Sequence, residues 1–361
     1  MINYSKFKIH EINGRYITND TLLGLSFSND FNILGFSVGL APIYYLKLGS
    51  GPLNILIWSQ MHGNESTSTR ALFDLISFLK TYGKDYSNYV TFHIVPILNP
   101  DGALNYTRNN LNGIDLNRDF LNLSQPESRL LNNLYESVEP DFCFNLHDQR
   151  SIYSVEGTNN SSIISLLSPT VDNSKSVTSS RTKSMKVICS IYNELNKLIE
   201  GHVSRFNDDY NPNCVGEAFQ TLGTPTILFE SGQLGEDYTR ENTREFMCIS
   251  LISAIKSIAG HEYKNINHNN YFLIPENDKS FFDVLIKNVL LKSKLKTKRL
   301  DIGLRFEENL CKKTKKIIFN PKIIKKGMLK SMNGHKEIDF VNNSNIFNLK
   351  SNNLAEFLKK I

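Results

Sequence analysis

Four short polar clusters, each just past an apolar run or a short loop after one, constrain this chain most. They are His62-Gly-Asn-Glu65, Asn99-Pro-Asp-Gly102 leading to Gly113-Ile-Asp-Leu-Asn-Arg-Asp-Phe120, Asn145-Leu-His-Asp148 and Phe229-Glu-Ser-Gly232. The runs before them, Leu53–Trp58, Tyr89–Leu98, Phe142–Leu146 and Thr226–Phe229, are short, β-branched or aromatic and bounded by polar residues, which predicts buried strands. Between them, residues 65–80 carry Leu72, Leu75, Ile76 and Leu79 at helical spacing, and residues 184–202 and 239–258 also read as helices. Strands separated by helices imply an α/β fold with a mostly parallel sheet flanked by helices. In such a sheet, polar residues past the strand carboxyl ends are the expected ligand-binding positions.

The length of 361 residues allows one large domain and a smaller one. Hydrophobic residues at 40% and charged residues at 21% exclude disordered and coiled-coil classes. Charge divides the chain: residues 1–262 hold 20 Lys+Arg against 27 Asp+Glu, and residues 263–361 hold 21 against 9. That step predicts a catalytic domain over 1–262 and a basic domain over 263–361, joined by a polar linker at His261–Asn270. The basic part contains Lys292–Arg299 (KSKLKTKR) and Lys312–Lys316 (KKTKK). Few aromatic residues are interleaved to stack bases, so a solvated or docked basic face is expected and nucleic acid is not.

Five widely spaced cysteines form no C-x-x-C pair, which argues against a disulfide framework or thiolate metal site and for a reducing, cytoplasmic setting. The amino-terminal residues lack an apolar leader core, and no run of about 18 apolar residues occurs, so neither a secretion signal nor a membrane span is expected.

His62 at a strand end and Glu65 three residues on can point the same way as two metal ligands, although a first-turn Glu also favours a helix N-terminus electrostatically. His147, from another strand end, is either a third ligand or a satisfied core histidine. Together the three match the His/Glu/His set of catalytic zinc sites with one position left for water. Glu230 ends a buried strand, where an ionised carboxylate is costly unless paired or functional; it reads as a catalytic base or as half of a structural ion pair. Arg108 and Arg118, the latter beside Asn117, are fixed cations that suit a carboxylate or an oxyanion, or merely face solvent.

Taken in order, His62-x-x-Glu65, Asn99-Pro-Asp-Gly102, Arg108, Asp115-Leu-Asn117-Arg118-Asp-Phe120, His147 and Phe229-Glu230 resemble the zinc metallocarboxypeptidases, relatives of carboxypeptidase A, over about residues 33–258. The resemblance implies Zn2+ held by His62, Glu65 and His147, with Glu230 as general base and Arg108 as oxyanion stabiliser. It further implies that Asn117 and Arg118 clamp a substrate's terminal carboxylate. The family's capping tyrosine has its nearest match in Tyr210. Asp148 stands where the digestive enzymes have serine, and could tune a ligand or narrow the pocket.

The chain is also similar to aspartoacylases and succinylglutamate desuccinylases, which share the His-Gly-Asn-Glu and Asp-Leu-Asn-Arg motifs and add a β-rich C-terminal domain. Short alternating runs at Arg299–Phe306 and Lys316–Ile324 read as strands of such a domain, while Phe281–Leu291 has a helical period. The expected activity is hydrolysis of an amide next to a carboxylate, on a small peptide or, as the alternative, an acyl-amino acid. A catalytically silent binding module is the third reading.

Overall fold

In the run Leu53–Ser59, Ile55 and Ile57 enter one apolar core while Leu56 and Trp58 enter a second, the alternation of a strand covered on both faces. The structure is a computed structural model that describes residues 3–292 and 297–341. Its first elements are α1 (Asn19–Leu23), β1 (Asn32–Phe36), β2 (Pro42–Leu48), β3 (Leu53–Ser59), α2 (Thr67–Thr81), β4 (Val90–Val95), α3 (Pro100–Asn105) and α4 (Pro126–Val138). There follow β5 (Phe142–Asp148), β6 (Ser154–Val155), β7 (Ile164–Leu167), α5 (Ser179–Leu195), β8 (Val203–Arg205), α6 (Val215–Thr221), β9 (Thr226–Ser231) and α7 (Glu241–Ala259). The chain continues through β10 (Asn277–Asp278), β11 (Phe281–Lys292), β12 (Thr297–Cys311), β13 (Lys316–Gly327) and β14 (Asn333–Asp339).

Eight strands form a mixed sheet in the order β1-β2-β4-β3-β5-β9-β7-β8. Its centre, β4-β3-β5-β9, is parallel throughout. One core packs α2, α5 and α7 on one face, and the other packs α4 and α6 on the opposite face. Because the chain runs from β3 to β4 on one side and later places β5 on the other, strand order reverses between β3 and β5. The crevice at their carboxyl ends is the natural ligand site of an open α/β sheet. A four-stranded sheet, β13-β12-β11-β14, makes the smaller β-rich unit.

Several local expectations shift. Helix α2 begins at Thr67, two residues later than its apolar period implies, because the Asp148 carboxylate accepts the Thr67 and Ser68 amides at 2.7 and 3.0 Å. A cap thus arrives from a distant strand and satisfies first-turn donors. Helix α5 runs over 179–195 and not 184–202: Thr178 caps its start at the Arg181 amide, and Asn196 accepts the Gly201 amide to turn the chain away. Phe281–Leu291 is strand and not helix. Val284 and Ile286 enter one cluster of the small sheet and Leu285 the other, and a central strand buried on both faces has no helix-diagnostic gap in its apolar residues. The 261–270 segment is docked, forming short 3-10 turns that bury Tyr263 and Tyr271. Of the basic runs, Lys312–Lys316 turns between β12 and β13, whereas residues 293–296 of the other lie outside the described residues.

The amino-terminal segment is fastened by a buried charge pair. Arg244 on α7 donates Nε and Nη2 to the two Asp74 oxygens on α2 at 2.7 Å each, with both side chains fully buried. Asp74 also accepts the Tyr4 hydroxyl and the Ile9 amide, while Arg244 reaches the Ile9 and Ile12 carbonyls. Asp74→Ala strands the guanidinium and is expected to cost about 3–5 kcal/mol in denaturant-unfolding measurements. A loss below about 1 kcal/mol would show the pair to be dispensable.

Candidate active site

The loop after β3 carries His62 and Glu65, and the end of β5 carries His147. The loop lies flat on the start of α3: a Cβ on Gly63 would sit 1.9 Å from the Gly102 carbonyl carbon, so only glycine fits. Asn99 holds that start by accepting the Gly102 amide at 2.8 Å, with Pro100 at the first helical position. The Asn-Pro-Asp-Gly cluster is therefore scaffold for the loop that carries His62 and Glu65.

His62, Glu65 and His147 converge. Their ligand atoms lie within 4.8 Å of one another; His62 Nδ1 is 2.9 Å from Glu65 Oε1, and His147 Nδ1 is 2.9 Å from Glu65 Oε2. The two Nδ1 atoms approach to 3.1 Å. Two imidazole nitrogens and a carboxylate aimed at one point suit a cation. The outward Nε2 of His62 meets Asp115 Oδ1 at 3.0 Å, the carboxylate partner that orients a metal-binding imidazole. His147 Nε2 has no partner among the described residues.

The electrostatics differ among the three residues. Burial opposes protonation of His62, but the Glu65 carboxylate and the Asp115 bond outweigh it and raise its pKa. Burial lowers the His147 pKa, keeping it the neutral imidazole that a metal requires. Burial disfavours the Glu65 carboxylate, yet both histidines hold it well below the usual range.

Glu230, on β9, pairs in register with His147 and lines the same cleft. Its Oε2 is buried without a partner among the described residues. Burial first, then the Glu65 and Asp148 charges, push its pKa well above the ordinary carboxylate value. Among the described residues no ion pair holds it.

Arg108 donates Nε to Asp115 Oδ2 at 3.0 Å and Nη1 to Glu65 at 3.2 Å, beside the cluster. Arg118 lines the cleft, with Nη1 on the Asn117 carbonyl at 2.6 Å and on Cys214 Sγ at 3.1 Å. Asn117 Oδ1 accepts the Val215 amide at 3.1 Å and ties this loop to the start of α6. Tyr210 lies in the cleft wall. Asp148 turns its carboxylate to α2 while lining the cleft, and its amide reaches Glu65 at 3.2 Å.

Two groups carry more than the sequence indicated. Asp115 serves His62, Arg108 and the Asn117 amide at once. From the second sheet, Glu308 pairs with buried Arg15 at 2.5 Å and accepts the Tyr106 hydroxyl at 2.6 Å. Arg305, Phe306 and Glu308 wall a cleft of about 1190 Å³. On the α6 side the wall includes Glu217, pushed up to about 7 by burial.

Residues 23–187 match the zinc carboxypeptidase family, a span holding His62, Glu65, Arg108, Asn117, Arg118 and His147 but not Tyr210 or Glu230. Carboxypeptidase SOL1 of Arabidopsis thaliana is 32% identical over 120 residues, 27% of this chain and 24% of that protein. The match thus spans about a quarter of the curated relative's length. Among solved structures, a metallo-carboxypeptidase from Burkholderia cenocepacia superposes with a TM-score of 0.51 at 16% identity, over 68% of each chain. Bovine thrombin-activatable fibrinolysis inhibitor, solved with a tick carboxypeptidase inhibitor, gives 0.52 at 16% identity, over 68% of this chain and 95% of that one. Residues 23–187, under half of the chain, therefore match the zinc carboxypeptidase family, within a fold shared with the Burkholderia cenocepacia metallo-carboxypeptidase over 68% of the chain.

Proposed function

We propose that the protein is a zinc-dependent carboxypeptidase, hydrolysing the last amide of a peptide with a free C-terminal carboxylate. The observation that carries this reading is the convergence, in one cleft, of the His62–Glu65–His147 cluster, the partnerless Glu230 carboxylate and the Arg118 guanidinium. A zinc ion held by His62, Glu65 and His147 would polarise the scissile carbonyl and acidify a water toward a pKa of about 7. Glu230 would take the proton of a water attacking the carbonyl and return it to the departing amine. Arg108 faces the charge that develops on the carbonyl oxygen. Arg118 and Asn117 hold the terminal carboxylate, Tyr210 closes over it, and the reacting bond is thereby fixed in register.

The wall supplied by the second sheet favours the alternative, an acyl-amino-acid amidohydrolase, by narrowing access to the cleft. Its volume of about 1190 Å³ exceeds the ~300–1,000 Å³ typical of small-ligand sites, which supports the peptide. Five unpaired cysteines suit a reducing compartment, the cytoplasm. Among the described residues no helix is long and apolar enough to cross a membrane.

The purified protein is expected to hold about one zinc per chain and to release C-terminal amino acids from a peptide panel faster than it cleaves N-acyl amino acids, both activities vanishing with a chelator. His62→Ala and His147→Ala should each lose the metal and the activity together. Full metal content in both variants would overturn the ligand assignment, and faster turnover of N-acyl amino acids would favour the alternative.

A further inference from the structure

One wall of the cleft carries positive charge that the proposed reaction does not use. Arg305 on β12 and Arg150, two residues past β5, both line it. Neither side chain makes an ion pair or hydrogen bond among the described residues, and Arg305 Nε is buried without a partner. The other cleft arginines are engaged: Arg15 by Glu308, Arg108 by Glu65 and Asp115, Arg118 by Asn117 and Cys214, and Arg240 by the Ser231 and Gln149 carbonyls.

The two segments that carry them meet at β11: its Phe281 amide bonds the Ile152 carbonyl, two residues past Arg150, at 3.1 Å, and it pairs with β12 at Val284–Leu304, beside Arg305. Burial first, and then the charge of Arg150, lower the Arg305 pKa. Asp283 on β11 has its Oδ2 on the Phe306 amide at 2.8 Å and makes no ion pair with Arg305 among the described residues. Like charges left together in a partly dry wall are unfavourable, and a carboxylate between them would be held by both forks.

Their place in the cleft indicates which part of a substrate they meet. Arg150 directly follows Gln149, whose amide bonds the carbonyl of Ser231, the residue after Glu230, at 2.9 Å, so this wall adjoins the proposed base. Arg118 instead contacts Cys214 Sγ at 3.1 Å, at the start of α6. If Arg118 holds the leaving residue's carboxylate, Arg150 and Arg305 face the other side of the scissile bond.

We propose that Arg150 and Arg305 form an anion subsite for the acyl side of the substrate, so that the enzyme prefers peptides with acidic residues just before the bond it cuts. The orientation rests on the carboxypeptidase reading; the subsite itself rests on the paired, partnerless guanidiniums. It is new relative to the motif residues because half of it comes from the second sheet.

The test compares acetyl-Glu-Glu-X with acetyl-Gln-Gln-X, X being an equimolar mixture of Ala, Phe and Lys, with the zinc-loaded full-length protein. At low salt the Glu peptides should show kcat/KM at least about tenfold higher, the scale of one desolvated charge-assisted contact. Arg305→Met and Arg150→Met, which keep the aliphatic stem, should each lower that ratio, and about 0.5 M NaCl should compress it in the wild type. Arg150 is exposed, so its variant folds even if Arg305→Met does not. Affinities of the same peptides for Glu230→Gln protein give a readout independent of turnover. Tighter, arginine-dependent binding of the Glu peptides with no cleavage by wild type would sustain the subsite and sink the carboxypeptidase reading. Equal binding of Glu and Gln peptides, or a preference that persists in both arginine variants, overturns the subsite.

Discussion

Glu230→Gln is expected to keep its zinc and bind substrate while kcat falls at least about a hundredfold, the scale of a lost general acid-base group. The reasoning is geometric. Glu230 lines the cleft, its Oε2 buried with no partner among the described residues, on a strand that pairs in register with the one bearing His147. The amide has the same shape and cannot take a proton, so packing is preserved and only proton transfer is removed. Among the described residues Glu230 makes no ion pair that the exchange would break, which limits any loss of stability. Metal analysis beside steady-state kinetics checks the result. A zinc-free Glu230→Gln protein would make this residue a ligand, and unchanged kcat would place the base elsewhere.

Arg118→Ala should be harmful in a way that depends on the substrate. Only its Nη1 is engaged, by the Asn117 carbonyl and Cys214 Sγ, which leaves Nε and Nη2 to form the two parallel bonds of a guanidinium–carboxylate pair. On a peptide with a free carboxylate, the loss is about 1.5–3 kcal/mol, or roughly 10- to 150-fold in kcat/KM. The same peptide amidated at its terminus never makes the contact and should lose little. Wild type should therefore favour the free acid, and Arg118→Lys should recover only part of that preference, since an ammonium cannot reproduce the fork. Measuring both proteins on both substrates completes a double-mutant cycle. Equal losses on acid and amide would reduce Arg118 to a support for the α6 loop.

The candidate site was legible because its parts obey a short-range rule. His62, Glu65, His147 and Glu230 each stand at or just past the carboxyl end of a recognisable strand, and a parallel sheet brings such ends together whatever the intervening chain does. The family resemblance added roles to Arg108, Asn117, Arg118 and Tyr210, and the structure places all four around the cleft. What stayed hidden depends on contacts between distant residues. Nothing local marks Asp148 as the cap of α2, or Glu308 as the partner of Arg15, 293 positions away. Asp115 lay inside a motif that was read, but its three simultaneous bonds exist only once β3 and the 113–120 loop meet. Strand β11 was obscured for the opposite reason: with both faces covered, its composition carries no alternation to read.

The Arg15–Glu308 contact ties the geometry of the cleft to the attachment of the second sheet. Arg15 is buried in the amino-terminal segment, its carboxylate comes from β12, Tyr106 from the end of α3 completes the arrangement, and the arginine and the carboxylate both face the cleft. Drawing the small sheet away would open one side of the substrate space and, in the same movement, leave a guanidinium desolvated without its counter-charge, a state costing several kcal/mol. Access and assembly therefore form a single degree of freedom. Swinging the second sheet aside is thus a costly way to widen the entrance, and the small sheet acts as a fixed wall of the cleft.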